Sequence, residues 1–385
     1  MKKLLALLLA CVMVLGLVAC GGGNDTPEST PAAGGDNTPG DSTVYKVAMI
    51  TDYGDITDQS FNQTTYEACK EYCDANGVPF NYSKPQTDSD ADRVAMIDAA
   101  IPDGYNIVVM PGYAFGNAIK ESAEMYPDVK FFALDVSEAE FGGWTLPENV
   151  YSAVYQEELS GYMAGYAAVK LGYKHLGYLG GMAVPAVMRF GYGYLQGIDA
   201  GAKELGITNE IKVEYVYGNQ FWGDADITAV MDTWYGEKGV EVVFACGGGI
   251  YSSAAEAAAK VGGKVIGVDV DQAPIIDEVY GAGMTVTSAM KGLAPTVKDT
   301  LADVIQNGNW ANYGGKIATL GLVSADPEAN YVQIPMATTQ FADTFTQDNY
   351  KALVAALFDG TITVSNDISA MPTTGVAVET YPNIK

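Results

Sequence analysis

The chain has 385 residues, 48% of them apolar, and a formal net charge of −26. This length exceeds the ~250–300 residues at which one hydrophobic core tends to divide, so two domains are expected. The excess of carboxylates would repel phosphate backbones and anionic lipid headgroups, which excludes nucleic acid as a partner and a basic patch as a membrane anchor.

The start of the chain has the pattern of a secretory signal. Lys2 and Lys3 precede the apolar stretch 4–19, and Cys20 follows it. The stretch is shorter than the ~20 residues that a membrane span needs, so we interpret residues 1–19 as a lipoprotein signal peptide and Cys20 as the lipidated residue. Residues 20–43 are rich in Gly, Pro and Thr and are predicted to form a flexible tether. The protein is therefore expected to be lipid-anchored at the extracytoplasmic face of the cell membrane.

From residue 45 onwards, short apolar runs alternate with amphipathic segments. The pattern predicts strands at 47–50, 80–82, 107–110 and 131–134, with helices at 61–75, 90–101 and 114–125. Ser60 and Gln63 are spaced as a capping box at the start of the first helix. Continuous apolar strands separated by helices are typical of a buried parallel sheet.

The pattern begins again after a helix at 157–171 that is rich in small residues. Strands are predicted at 176–179, 213–216, 240–244 and 265–268, helices at 186–205, 225–236 and 251–261, and two more strands at 284–288 and 316–322. The fold class is therefore α/β, with two doubly wound, Rossmann-like lobes joined by a multi-strand hinge. The predicted lobes are 44–156 plus about 291–322, and 157–290 plus about 323–385.

Cysteine and histidine content restricts the possible chemistry. Cys69 and Cys73 lie one helical turn apart, but the sequence offers no second Cys or His pair to complete a zinc site, so both are expected to be buried apolar residues and no metal is predicted. His175 is the only histidine, which excludes a Ser-His triad and a histidine metal cluster. Catalysis by carboxylates alone stays open.

Candidate ligand-binding residues follow the predicted strands, because ligands of parallel α/β sheets bind beyond the carboxyl ends of the strands. These positions combine carboxylates, aromatic rings and glycines, which would suit a flat ring that also carries hydroxyl groups. The triple glycine at 247–249 lacks the Lys and Ser/Thr of a phosphate-binding loop. The candidates are Asp52, Tyr53, Gly54, Asp58, Phe61, Asn62, Tyr113, Phe115, Asp135, Phe221, Trp222, Gly247, Gly248, Gly249, Asp269 and Asp271.

Several of these positions fall in motifs that resemble one family. The segment 52–63, DYGDITDQSFNQ, resembles the opening signature of the basic membrane protein family of substrate-binding lipoproteins, whose best-known members are purine-nucleoside receptors of ABC transporters. The segments 266–272, IGVDVDQ, and 287–291, TSAMK, are similar to later motifs of that family, as is 180–182, GGM, with Pro185 and Arg189. The resemblance implies a type I periplasmic-binding-protein fold, a nucleoside held between the lobes, and delivery to a membrane permease.

The resemblance also implies roles for individual residues. Phe61 would stack on one face of the base, and Phe221 or Trp222 on the other. The remaining implied contacts are Asp52, Asn62 and Asp135 at the base edge, and Asp269, Lys291 and one glycine of 247–249, taken as Gly248, at the ribose. It implies neither catalysis nor a cofactor. Expected partners are the nucleoside, the permease and, through the lipid, the membrane, with the protein itself a monomer.

Three other functions stay open on the sequence. A sugar or polyol would suit Asp269 and Lys291 equally well. An exported nucleoside hydrolase would use the carboxylates of Asp52, Asp55 and Asp58. A surface antigen would have no small-molecule ligand at all.

Overall fold

The computed structural model describes residues 44–385, which form one compact unit containing two β-sheets. The predicted signal peptide at 1–19, the lipidated Cys20 and the tether at 20–43 lie outside the described residues. Among the helices of 44–385, none is both long enough and apolar enough to cross a membrane.

The first sheet, sheet A, has six parallel strands in the order β11-β5-β4-β3-β1-β2. The strands are β1 (Val47–Ile50), β2 (Phe80–Ser83), β3 (Ile107–Pro111), β4 (Lys130–Leu134), β5 (Val150–Tyr155) and β11 (Lys316–Leu320). The helices connecting them are α1 (Phe61–Asn76), α2 (Asp90–Ala100) and α3 (Gly116–Met125), and α9 (Leu293–Asn307), which precedes β11, packs beside α1.

The second sheet, sheet B, has seven strands in the order β12-β10-β9-β8-β6-β7-β13, and only the β10–β12 pairing is antiparallel. Its strands are β6 (His175–Gly180), β7 (Lys212–Tyr217), β8 (Val242–Cys246), β9 (Lys264–Asp269), β10 (Thr285–Lys291), β12 (Val332–Gln333) and β13 (Ala377–Thr380). Its helices are α4 (Glu157–Lys170), α5 (Pro185–Leu205), α6 (Ala225–Asp232), α7 (Tyr251–Val261), α8 (Ala273–Tyr280) and α10 (Gln347–Phe358).

Both sheets are covered by helices on their two faces. Successive residues of a strand point to opposite sides of the sheet, so a strand of continuous apolar residues contributes to the core on each face. In β3, Ile107 and Val109 join the core cluster that contains Cys69 of α1, whereas Val108 and Met110 join the cluster formed with α2 and α3. The strand orders β2-β1-β3-β4-β5 and β7-β6-β8-β9-β10 repeat the same doubly wound arrangement. The predicted α/β fold class is confirmed, and Cys69 and Cys73 are buried as expected.

Within residues 44–385 the chain passes between the two sheets three times: after β5, after β10, and between β11 and β12. These crossing segments are hydrogen-bonded to one another. The amide of Gln156 donates to the carbonyl of Leu320 at 2.9 Å, that of Tyr331 to Gly321 at 3.0 Å, and that of Gly292 to Tyr331 at 2.7 Å. The three crossings therefore form one connected strap at the side of the cleft.

The structure contains elements that the periodicity analysis missed. β5 lay unassigned because Ser152 interrupts its apolar run, although the side chain is buried and its hydroxyl donates to the carbonyl of Val136 at 2.6 Å. The short edge strands β12 and β13 carry little apolar pattern of their own. Helices α8, α9 and α10 were also not predicted, and α9 is strongly amphipathic, with Leu293, Val297 and Leu301 on its buried face.

Candidate ligand-binding site

A cavity of about 640 Å³ lies between the carboxyl ends of the two sets of strands. All nine residues predicted to contact ligand line its wall: Asp52, Phe61, Asn62, Asp135, Phe221, Trp222, Gly248, Asp269 and Lys291. They come from loops that are far apart in sequence and adjacent at the sheet edges, as the strand-end rule requires. The structure thus brings the predicted set together, and contact with ligand stays a prediction for each member.

Asp52, two residues after the end of β1, occupies one end of the cavity. Its Oδ1 accepts hydrogen bonds from the amides of Tyr53 at 2.7 Å and Gly54 at 3.0 Å. Burial raises the pKa of the carboxyl, and these two amide bonds act in the opposite direction. Gly112, which follows β3, has a φ of +128°, and a Cβ there would lie 2.3 Å from Asp52 Oδ2. Glycine is therefore required at position 112 to leave room for the Asp52 side chain at the carboxyl end of the strands.

Asp58, and not Ser60, caps helix α1. Its Oδ1 accepts from the amides of Ser60 and Gln63, both at 3.0 Å, and its Oδ2 accepts from the amide of Asn62 at 2.9 Å. The Ser60 side chain makes no cap hydrogen bond, so the predicted Ser60–Gln63 capping box is wrong. A carboxylate two residues earlier offers more acceptor capacity than a hydroxyl, and this frees Ser60 for another contact.

A buried charged cluster, formed by Lys291, Asp135, Asp269, Glu157 and Arg189, occupies the other end of the cavity. Lys291 Nζ donates to Asp135 and lies 3.5 Å from Asp269 Oδ1 and 3.8 Å from Glu157 Oε1. Arg189 Nε lies 2.6 Å from Glu157 Oε2. Asp135, which follows β4 of sheet A, therefore shares the Lys291 ammonium group with Asp269 of sheet B. Within sheet A, β4 lies two strands away from β1, which precedes Asp52.

The pKa values of Lys291, Asp269 and Glu157 are all shifted by this environment. Burial lowers the pKa of Lys291, but Asp135, Asp269 and Glu157 outweigh it and hold the pKa above its usual value. Burial raises the pKa of Asp269, opposed by Lys291 and by the Ser60 hydroxyl. Burial likewise raises the pKa of Glu157, opposed chiefly by Arg189. The cluster is charge-dense and buried, which is typical of a site that binds polar ligand groups.

Two of these carboxylates sit on unusual backbone. Asp135 follows β4 with a φ of 61°, and Asp269 ends β9 with a φ of 66°. β4 and β9 hold equivalent places in the strand orders of sheets A and B. Left-handed backbone is uncommon outside glycine, although Asp adopts it more readily than most residues. The repeated conformation turns one carboxylate from each sheet towards the shared cation.

The aromatic residues line the space between the two polar ends. Lys291 Nζ lies 4.5 Å from the centroid of the Phe61 ring, so this ring borders the charged cluster. Phe221 packs against Gly181, where a Cβ would lie 2.4 Å from its ring, and its centroid lies 6.5 Å from that of Tyr113. Trp222 is 53% exposed and stands at the rim. Of the two residues considered for the second stacking position, Phe221 is the one held inside the cleft.

Contacts across the cleft hold the two halves together. Ser60 Oγ, from the sheet A side, donates to Asp269 Oδ2 of sheet B at 2.6 Å. Tyr53 and Tyr113 both point their hydroxyls at Met182 Sδ, which follows β6, at 3.3 and 3.5 Å. The two sheets are therefore in direct contact across the cleft, and we refer to this arrangement as the closed cleft.

Comparison with known proteins identifies relatives of this chain. The sequence profile of the family Bmp, described as "ABC transporter substrate-binding protein PnrA-like", matches residues 45–348. The chain belongs to the Bmp family. The family resemblance inferred from the motifs is thus confirmed, and the protein is a substrate-binding protein of an ABC transporter, which implies a small-molecule ligand and a permease partner.

Curated relatives and solved structures are similar over most of the chain. The ABC transporter nucleoside-binding protein BmpA of Lactococcus lactis is 28% identical over 337 residues, covering 84% of this chain and 89% of that protein. Basic membrane protein B of Borreliella burgdorferi is 27% identical, covering 75% and 82%. A solute-binding protein from Conexibacter woesei superposes with a TM-score of 0.62 at 22% identity, covering 84% and 99%, and supports the fold alone.

In this Bmp-family protein, some site residues had no clear signal in the sequence. Glu157 is fully buried beside Lys291, yet it reads as an ordinary acidic first turn of α4. The only hint is that two adjacent glutamates begin a helix whose following residues, up to Val169, are uncharged. Ser60 was interpreted as a cap, and Met182 was noted only as part of a motif. His175 lies at the start of β6, where its Nε2 is 2.9 Å from Glu214 Oε1, and it is not among the residues lining the cavity.

Proposed function

We propose that this protein binds a purine nucleoside between its two sheets and delivers it to the permease of an ABC transporter. The observation that carries the proposal is the position of the charged cluster directly beside the Phe61 ring. Carboxylates and an ammonium group suit the hydroxyls of a ribose, and an aromatic face suits a planar base. One cavity offers both, side by side.

In the proposed complex the base lies between Phe61 and Phe221. Asp52 and Asn62 accept hydrogen bonds from its edge. Asp269 and Lys291 bind the ribose hydroxyls, together with a glycine of 247–249. A cavity of about 640 Å³ falls within the ~300–1,000 Å³ range of small-molecule sites.

Asp135 receives a different role from the one that the motifs imply. Its Oδ2 is paired with Lys291, and its Oδ1 is buried without a hydrogen-bond partner among residues 44–385. An unpaired buried acceptor is costly unless a ligand donates to it. We therefore propose that Asp135 accepts a ribose hydroxyl beside Asp269, leaving the base edge to Asp52 and Asn62.

Transport requires the site to open and close. We propose that the lobes, 44–156 plus about 291–322 and 157–290 plus about 323–385, rotate about the strap of three crossings, with the nucleoside favouring the closed state. The lipid on Cys20 and the tether at 20–43 would hold the monomer at the extracytoplasmic membrane surface, within reach of the permease. No bond of the ligand is made or broken, and no cofactor takes part.

The name of the Lactococcus relative, a nucleoside-binding protein, supports the choice of cargo. The test is isothermal titration calorimetry of residues 44–385, refolded to remove ligand from the expression host, with guanosine, adenosine, uridine and ribose. The proposal expects one-to-one binding of a purine nucleoside that is lost in Asp269→Asn. Asp271→Asn is the matched control. Asp271 lies two residues after Asp269, accepts a hydrogen bond from the amide of Ala273 at the start of α8, and is not among the residues that line the cavity.

Each other result has a defined meaning. Binding of ribose without any nucleoside would assign the cavity to sugars. If none of the four ligands binds, the proposed cargo is contradicted and the family assignment stays intact. Cleavage of the nucleoside during incubation, followed by chromatography, would make the protein a hydrolase.

A further inference from the structure

The amide of Asn62 is held in one orientation at the cavity wall. Asn62 is 9% exposed and lines the cavity. Its Nδ2 donates to Asp58 Oδ2 at 3.1 Å, whereas its Oδ1 is buried and has no hydrogen-bond partner among the described residues. A buried carbonyl oxygen without a donor is rare in folded proteins, which indicates that a donor arrives with the ligand.

Asp58 determines which end of this amide faces the cavity. The carboxylate accepts four N–H groups, two on each oxygen: the amides of Ser60 and Gln63 on Oδ1, and the amide and side chain of Asn62 on Oδ2. Because a carboxylate only accepts, a rotated Asn62 would set its own oxygen against Oδ2. The opposite orientation is therefore excluded by repulsion and by the loss of a charge-assisted hydrogen bond.

Packing restricts the amide from the other side. A Cβ at Gly54 would lie 2.2 Å from Asn62 Nδ2, so the amide sits tightly between the Gly54 backbone and the Asp58 carboxylate. Gly54 also donates its backbone N–H to Asp52. The two side chains on either side of this glycine, Asp52 and Asn62, thus both offer oxygen acceptors to the same end of the cavity.

We propose that Asp58 is a specificity-determining residue, which fixes the Asn62 amide so that its oxygen faces the ligand and selects nucleosides whose base offers an N–H donor. This inference rests on the proposed function. The lactam N–H of inosine and guanosine meets the requirement, and so does the exocyclic amine of adenosine. Purine riboside does not, because its ring nitrogens at that edge only accept.

The test compares inosine with purine riboside by calorimetry on residues 44–385. The wild-type protein should bind inosine at least tenfold more tightly. In Asp58→Asn the new side chain offers both a donor and an acceptor, so Asn62 is free to rotate and the preference should fall at least fivefold. Asp58→Ser leaves only a hydroxyl, which both donates and accepts, so it also no longer dictates the orientation and should give the same loss of preference if Asp58→Asn fails to fold.

The control is Thr346→Ala, which removes the cap of α10 far from the cavity in sequence and in the fold. It should lower the thermal midpoint and leave the inosine preference unchanged. A wild-type preference that survives in folded Asp58→Asn or Asp58→Ser overturns the role of Asp58. Equal binding of both nucleosides by the wild type overturns the inference and leaves the proposed function standing, whereas no binding of any nucleoside overturns both.

Discussion

Lys291 and Asp135 form an ion pair between the two sheets: Lys291 is the last residue of β10 in sheet B, and Asp135 directly follows β4 in sheet A. The lysine side chain is 3% exposed. Because Asp269 and Glu157 lie within 4 Å of the same Nζ, one ammonium group offsets three buried carboxylates with the help of Arg189. The same lysine therefore connects closure of the cleft with the proposed ribose site.

Replacing Lys291 by Met should lower both the stability of the protein and its affinity for nucleoside. The change leaves buried carboxylates without their cation, and breaking a buried pair in this way costs about 3–5 kcal/mol of unfolding free energy. Urea denaturation should show this loss, and calorimetry should show that nucleoside affinity falls by more than about 100-fold. Lys298→Met removes an exposed lysine paired with Glu71 and should be nearly neutral in both measurements. Equal effects of the two variants would contradict the proposed role of Lys291.

Ser60→Ala should weaken ligand binding without loosening helix α1. The Ser60 hydroxyl donates to Asp269 across the cleft, and a hydrogen bond to a charged group contributes about 1.5–3 kcal/mol. Affinity for nucleoside should fall by about tenfold or more, since the bond joins the two sheets across the cleft in which the nucleoside is proposed to bind. Amide hydrogen exchange of the first turn of α1 should stay as in the wild type because Asp58 provides the cap. Faster exchange there would restore the capping-box interpretation.

Phe221→Ala should lower the affinity for nucleoside much more than Trp222→Ala does. Phe221 is packed inside the cleft on Gly181, whereas Trp222 is 53% exposed. Loss of the ring held inside the cleft should lower nucleoside affinity by about tenfold to 100-fold, and loss of the rim tryptophan by less than about threefold. Titration of both variants with guanosine gives the comparison. A larger effect at Trp222 would assign the second stacking face to that residue.

Much of this architecture could be predicted because each strand is indicated by a short run of neighbouring residues in the sequence. The strand β1, with its four buried apolar residues, and the strands β3, β4, β8 and β9 are short apolar runs, and the strand-end rule then locates the ligand residues. What could not be predicted depends on distant partners. Asp135 and Lys291 are 156 residues apart in sequence, and nothing near either residue indicates their pairing.

The choice between Ser60 and Asp58 shows the same limit at short range. Both residues have the right chemistry for a helix cap at the start of α1. Only the closed cleft, which gives the Ser60 hydroxyl an acceptor on Asp269, decides that Asp58 takes the cap. Sequence spacing alone favours Ser60 with Gln63, and tertiary contact overrides it.

Glu158 should make the stability of the protein depend on pH. Glu158 is 2% exposed, and its Oε2 has no hydrogen-bond partner among the described residues. Burial and, to a lesser extent, the neighbouring Glu157 raise its pKa from 4.5 to about 7. Because the folded state holds the proton more tightly than the unfolded state, this contribution to stability is fully present below about pH 4.5 and is lost as pH rises to 7 and above.

Glu158→Gln should remove this dependence, since the amide stays neutral at every pH. Urea denaturation should find the variant more stable than the wild type at pH 8, by up to about 3 kcal/mol, with the difference shrinking towards pH 5. Glu278→Gln, at an exposed position on α8, is the matched control and should track the wild type across the range. A Glu158→Gln variant that is less stable than the wild type at pH 8 would show that an ionised Glu158 has a stabilising partner, and that the buried start of α4 holds a charge.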